Sequence, residues 1–439
     1  MASSRIGGGV FTMLLVVLVL GIGRWVVAQA PEGIEQVAEE APETHPGGQG
    51  IAAEGSDLLY GRVTTDDGTI HEGRLRFGGD EEALWSNYFN GYKAVNPWVA
   101  LVPDELRPTD RRALTLFGLE LAGREVPRDL GRPFMARFGD VARIDARGRD
   151  LHVTLKSGTV FRLDRFGADD FADGLMLWDE EGRVLELGEW GIRSIEFLPA
   201  SASSGIRPTP LYGTVRTAQG DFTGLIQWDR EETLVTDGIG GLSFEIIESI
   251  ERTSSGSRVV VRHGETLELT GSRKVGDGNR GIYVDDPRYG RVLVSWDAFD
   301  RIDFSSPDHA RGYERYPPGA PLHGSVTTAA GRTLAGRIVY DLDESETTET
   351  LDAPSRGVNY MVPFGMIASI ERGDDAASGA DPALATVVLS NGETLRLEAA
   401  GDLADANAGL LVFVVDATAP EYVPWSEVRR IDLEVPPGT

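Results

Sequence analysis

Six times along the chain one short phrase closes a segment: an aromatic residue, an aliphatic or Phe three positions on, Ile three further, and a carboxylate directly after it. The copies are Phe138, Val141, Ile144, Asp145; Phe244, Ile247, Ile250, Glu251; Trp296, Phe299, Ile302, Asp303; Phe364, Ile367, Ile370, Glu371; and Trp425, Val428, Ile431, Asp432. A sixth, Trp190, Ile192, Ile195, Glu196, is one residue short. Recurrence at intervals of tens of residues marks a chain assembled from copies of one supersecondary unit, so the architecture is constrained before any functional motif is considered.

A second phrase precedes each closing one. Val153, Leu155, Gly158, Phe161 and Leu163 alternate with period two on both sides of a turn glycine, as do the residues around Gly264 and Gly392. Gly68, Gly220 and Gly331 hold the same place with Thr at the second position. Alternation flanking such a glycine predicts a β-hairpin, and the spacing reads as a two-residue turn in which glycine supplies positive φ. The closing phrase, with spacings of three, fits a single 3₁₀-like turn followed by a short strand. Hairpin, strands, one helical turn and a last strand resemble the plan of SH3-like or Sm-like small barrels, in pattern alone. The expected fold is therefore all-β, with six repeats.

Connections group the repeats. The joins Ile144 to Val153 and Ile250 to Val259 are short, whereas 200–210 and 305–321 are rich in Ser, Pro and Gly and read as linkers. A unit of about 50 residues without disulfides is marginal, whereas a fused pair buries a workable core. Three tandem domains follow, each a pair of units: 57–199, 208–305 and 320–436. Odd units close on Phe138, Phe244 and Phe364, even units on Trp190, Trp296 and Trp425, so duplication acted on the pair.

Ahead of the repeats, Arg5 and an apolar run from Val10 to Ile22 lead to Val26 and Ala28 at the −3 and −1 places of a cleavage site. Residues 1–28 read as a signal peptide, with an uncleaved anchor as the rival, and 29–56 as a disordered acidic linker. The expected location is exported: periplasm, cell envelope or extracellular space. With no cysteine in 439 residues, disulfides, thiolate catalysis and Cys-based metal sites are excluded. A formal charge of −27 disfavours nucleic acid and anionic lipid as partners, leaving membrane contact to an uncleaved N-terminal segment.

No HExxH, G-x-S-x-G elbow or phosphate-binding loop is present, and no cofactor is expected. Asp341, Asp343, Glu344 and Glu346 form an acidic loop that offers hard-cation oxygens, a weak calcium candidate without the glycine and spacing of an EF-hand. The carboxylates after each closing Ile read as solvated strand positions. One unit departs from the frame: Gly68 to Ile144 spans 76 positions, against 30 to 39 in the other five, which places an insertion within about 84–133. It opens with Trp85, Tyr88, Phe89, Tyr92, Lys93 and Trp98, interleaved with Asn87, Asn90 and Asn96. Exposed aromatics beside amides suit a protein or glycan partner, whereas folded back they would cap the first barrel. Residues 110–121 fit a short helix or a strand. The leading expectation is a non-enzymatic envelope protein acting as a binding or scaffold module. Its alternatives are a hydrolase or carbohydrate-active enzyme with a carboxylate site near the insertion, and a structural spacer.

Overall fold

The computed structural model describes residues 57–434 apart from 79–80, 117–118, 128–131, 180, 201–208, 307–311 and 374–383, and describes backbone alone for 110–127. Residues 1–56, on which the signal-peptide and acidic-linker expectations fall, lie outside the described residues. The protein is nearly all β, 53% strand, with one four-residue α-helix at Asp169–Ala172 among the described residues.

The first sheet runs Val184–Leu187, Leu175–Trp178, Ile70–Phe77, Tyr60–Thr65, Ile192–Phe197, Val141–Arg147, Asp150–Leu155, Val160–Asp164. The order recurs strand for strand in the second sheet, from Gly290–Val294 to Thr266–Leu269, and in the third, from Glu421–Val423 to Thr394–Glu398. In each, the last strand of the later half returns between the first and last strands of the earlier half. Ile192–Phe197 pairs with Tyr60–Thr65 on one side and Val141–Arg147 on the other, so the halves share one continuous sheet.

That return explains the closing isoleucines. They meet as cross-strand pairs at the seam, Ile144 with Ile195, Ile250 with Ile302 and Ile370 with Ile431, all buried. Beside them runs a matched polar ladder: Arg-Ile-Asp at 143–145, 301–303 and 430–432 lies antiparallel to Ser-Ile-Glu at 194–196, 249–251 and 369–371. The arginines hold the carboxylates, Arg143 to Asp145 by two bonds of 2.8 Å and Arg430 to Asp432 at 2.6 Å. These pairs are half-exposed and each is worth well under about 1 kcal/mol.

Five closing phrases fold as 3₁₀ turns, at 138–140, 189–191, 244–246, 364–366 and 425–427, and the sixth, 296–298, is a hydrogen-bonded turn. All six hairpin glycines have positive φ. The two-residue turns read from the sequence are corrected: five hairpins have three-residue loops, and in the sixth the two-residue loop is 218–219, with Gly220 in the strand opposite Thr217. At 66–68, for example, Thr65 N–H donates to Thr69 and Gly68 N–H to Thr65, a three-residue loop in which a type I turn is followed by a left-handed glycine. Such a glycine serves both turn types, so its position alone does not separate them.

Segments also cross between sheets. The hairpin Thr350–Ser355 and Val358–Pro363 extends the second sheet beyond Gly290–Val294, and the buried apolar residues of the second and third sheets form one cluster. Part of 305–321, read as a linker, is instead docked. Tyr313 and Tyr316 are buried against the first sheet; Lys156 Nζ donates to their carbonyls at 2.6 and 2.9 Å, and Tyr313 Oη donates to Val141 O at 2.7 Å.

Candidate functional site

The acidic loop begins as a tight turn. Tyr340 and Glu344 exchange backbone hydrogen bonds while Asp341 and Leu342 take φ of 49° and 52°. The second sheet has the same turn at Asp229 and Arg230, φ 53° and 60°, and the first puts Gly78 there, φ 50°. Asp visits this region more readily than most non-glycine residues, and here distant backbone amides hold both side chains: Asp229 Oδ1 accepts from Arg280 N at 2.7 Å, and Asp341 Oδ1 from Ala408 N.

The third sheet's turn is met by the insertion of the first. After Tyr88–Tyr92 the chain crosses to it, and Lys93 Nζ lies 2.7 Å from Asp343 Oδ1 and 3.3 Å from Glu349 Oε1, with side chains about one-tenth exposed. Asn96 Nδ2 donates to Leu342 O at 2.9 Å. Trp98 and Val102 are buried against Val339, Leu342, Ala408 and Leu411, with Phe413 edge-on to Trp98. At the other end of the insertion Arg132 Nη1 lies 3.3 Å from Asp341 Oδ2, and Lys93 N–H donates to Arg132 O, so both ends are fastened together and to one turn. Between them 110–121, undecided from sequence, is β: Thr109–Leu116 and Leu119–Pro127 form a two-stranded hairpin arm.

The joint is a dense nest of carboxyl groups. Burial pushes Asp343 up to about 6, Asp352 to about 6 and Asp402 to about 8, raises Glu344 well above the usual range and raises Glu346. Burial opposes the charge on Lys93, but Glu349, Asp343 and Glu344 outweigh it and shift the ammonium upward. Protonated carboxyls and two donated cations thus replace the water such groups would require. The arrangement can hold the insertion and vary its grip with pH; an external cation there would have to displace Lys93 or Arg132.

The four residues of the calcium candidate turn to separate partners: Asp341 to Arg132, Asp343 to Lys93, Glu346 to Thr159 Oγ1 at 2.5 Å, and Glu344 into the buried nest. Among the described residues the carboxylates that converge within 4.8 Å are Asp229, Glu231 and Glu232. Three cations already meet them: Arg273 lies 2.9 Å from Asp229, Arg280 lies 3.2 Å from Glu231, and Lys274 pairs with Glu231 and Glu232.

The aromatic group of the insertion is divided. Trp85 and Phe89 enter the first core, Phe89 edge-on to Phe77 and Phe138. Tyr88 is half-buried under the guanidinium of Arg291, 4.3 Å from its ring centroid, a contact with the second sheet. Lys93 and Trp98 form the joint, and Tyr92 is 43% exposed. The amides cap backbone: Asn87 accepts from Glu82 and Ala83, and Asn90 donates to Tyr88 O. Sequence reasoning missed Tyr313 and Tyr316, whose only signal is two tyrosines three apart in a Pro-rich stretch; it named Lys93 but missed Arg132 and the cations around Asp229.

No family model, curated protein or solved structure matches the chain. No helix among the described residues is long and apolar enough to cross a membrane.

Proposed function

We propose that the chain is an exported, non-enzymatic envelope protein that serves as a binding or scaffold module. In this reading its three tandem pairs of SH3-like or Sm-like units, 57–199, 208–305 and 320–436, form a rigid base and the hairpin arm of the insertion makes the contact. Export rests on the N-terminal sequence alone. The observation that carries the contact is the clamped insertion: Lys93 and Arg132 hold its two ends on the third sheet, and the strands between them pair only with each other among the described residues. A hairpin with two unpaired outer edges on a fixed base suits strand addition by a protein partner.

An enzyme built on carboxylates beside the insertion would rest on Asp343 and Glu349. Those two share the Lys93 ammonium in a buried joint, where neither is placed to reach a substrate. The test is replacement of residues 110–126 by a short Gly-Ser link in the full chain, followed by cross-linked recovery of partners from envelope extract. Loss of specific partners at unchanged thermal midpoint is expected; unchanged recovery removes the arm from the reading.

A further inference from the structure

The first sheet departs from the recurring frame a second time. In the turn before its returning strand, the position buried as Trp296 and Trp425 elsewhere is Glu189, and the aromatic comes one residue later, at Trp190. In the second sheet that later position is Asp297, whose side chain is 99% exposed. A 3₁₀ turn rotates about 120° per residue, so the shift turns the indole outward: Trp190 is 58% exposed, and with it Phe166 at 50%, ring centroids 5.9 Å apart. Arg165, buried, lies 4.3 Å from the Trp190 ring centroid and donates to Gly148 O at 3.1 Å. It thereby ties the aromatic pair to the strand end that carries Arg147.

Along that end runs a concavity of about 380 Å³ lined by Thr64, Arg143, Asp145, Ala146, Arg147, Arg193 and Ser194. Arg143 is bound by Asp145. Arg147 and Arg193 are exposed and have no ion-pair partner among the described residues. The equivalent positions are Thr253 and Asp300 in the second sheet and Gly373 and Arg429 in the third, so neither of those sheets carries both arginines. Three guanidiniums against one carboxylate make this basin positive in a chain of net charge −27. Nothing in the frame requires the arginines or the outward indole, and the two departures adjoin.

We propose that this surface is a binding site for an acidic saccharide, a sugar ring bearing a carboxylate. The ring lies on Trp190 and Phe166, whose apolar faces suit the C–H faces of a sugar. The carboxylate takes the forked donors of Arg147 and Arg193, which match its planar geometry. The site is separate from the hairpin arm, so arm and basin are tested independently.

The experiment is calorimetric titration of the full chain with a tetrameric uronate oligosaccharide, a neutral tetramer of the same linkage and an acidic peptide of equal charge, at two ionic strengths. Saturable binding of the uronate is expected. It should weaken at least about tenfold in R147A/R193A, consistent with loss of two charge-assisted contacts, and several-fold in W190A, with both variants keeping the wild-type thermal midpoint. The variant lacking residues 110–126 should bind the uronate as wild type does, whatever happens to its protein partners. Absence of saturable uronate binding, equal binding by R147A/R193A, or preference for the peptide or the neutral tetramer would overturn the proposal.

Discussion

Lys93→Met keeps most of the stem's volume and removes the ammonium, leaving Asp343 and Glu349 in a buried joint without the counter-charge they share. Removing one partner of a buried ion pair costs about 3–5 kcal/mol, because a charge is stranded out of water. Asp343 moderates that cost, since burial already holds it at about 6 and loss of the ammonium raises it further. A carboxyl whose folded pKa lies above its unfolded one stabilises the fold fully below about pH 4 and loses that contribution as pH rises through the folded value. The deficit of the Met variant should therefore be about 3 kcal/mol at pH 8 and shrink to about 1 kcal/mol at pH 5, where Asp343 takes a proton. Hydrogen exchange at the Leu101 and Val102 amides, which bond to Trp98 O and Val99 O, reads opening of the joint directly, and urea midpoints read the whole chain. Asp343→Asn in the same background should cost less than in the wild type, because the two residues act as one unit. A deficit below about 0.5 kcal/mol at pH 8, the size of an ordinary surface substitution, or one of equal size at pH 5 and pH 8, would refute a buried, pH-dependent joint.

The same linkage predicts that wild-type thermal stability falls as pH rises from 5 to 8, since Asp343, Asp352 and Asp170 sit at about 6 and Asp402 at about 8. Calorimetric scans of Asp402→Asn should lose most of the slope between pH 6 and 8, and a wild-type midpoint that climbs over that range counts against the assignment. Trp425→Ala should cost about 3–5 kcal/mol as a buried truncation, whereas Trp190→Ala should stay within about 0.5 kcal/mol; similar losses in urea titration would contradict the outward turn of Trp190. A Cβ at Gly139 would lie 2.6 Å from the Tyr316 ring, so Gly139→Ala should cost about 1–3 kcal/mol, and much less in a Tyr316→Ala background. Additive effects would mean that 313–316 does not dock there.

The hairpins, the closing turns and the buried isoleucines were legible because each is a local rule. Period-two alternation, a glycine able to take positive φ and apolar spacing of three each act within a dozen residues. The insertion was visible too, as a break in spacing, and it does lead to the most perturbed carboxyl groups of the described residues. What it touches was not legible. Lys93 and Asp343 are 250 residues apart, and each alone reads as a solvated charge. Likewise the exposed indole at 190 looked like one more closing aromatic, because a one-residue shortening is small in sequence and a third of a turn in space.

Sequence alone thus determined an all-β chain of recurring units, cysteine-free and strongly acidic, since composition and short-range periodicity set those properties whatever the units later touch. Tertiary structure decided the rest: the last strand of each later half returns to the seam, and a hairpin of the third span joins the second sheet. It also decided that Lys93 and Trp98 of the insertion and the candidate acidic loop are two sides of one joint. Burial and charge pairing between distant segments are properties of the assembled surface, and no local pattern carries them.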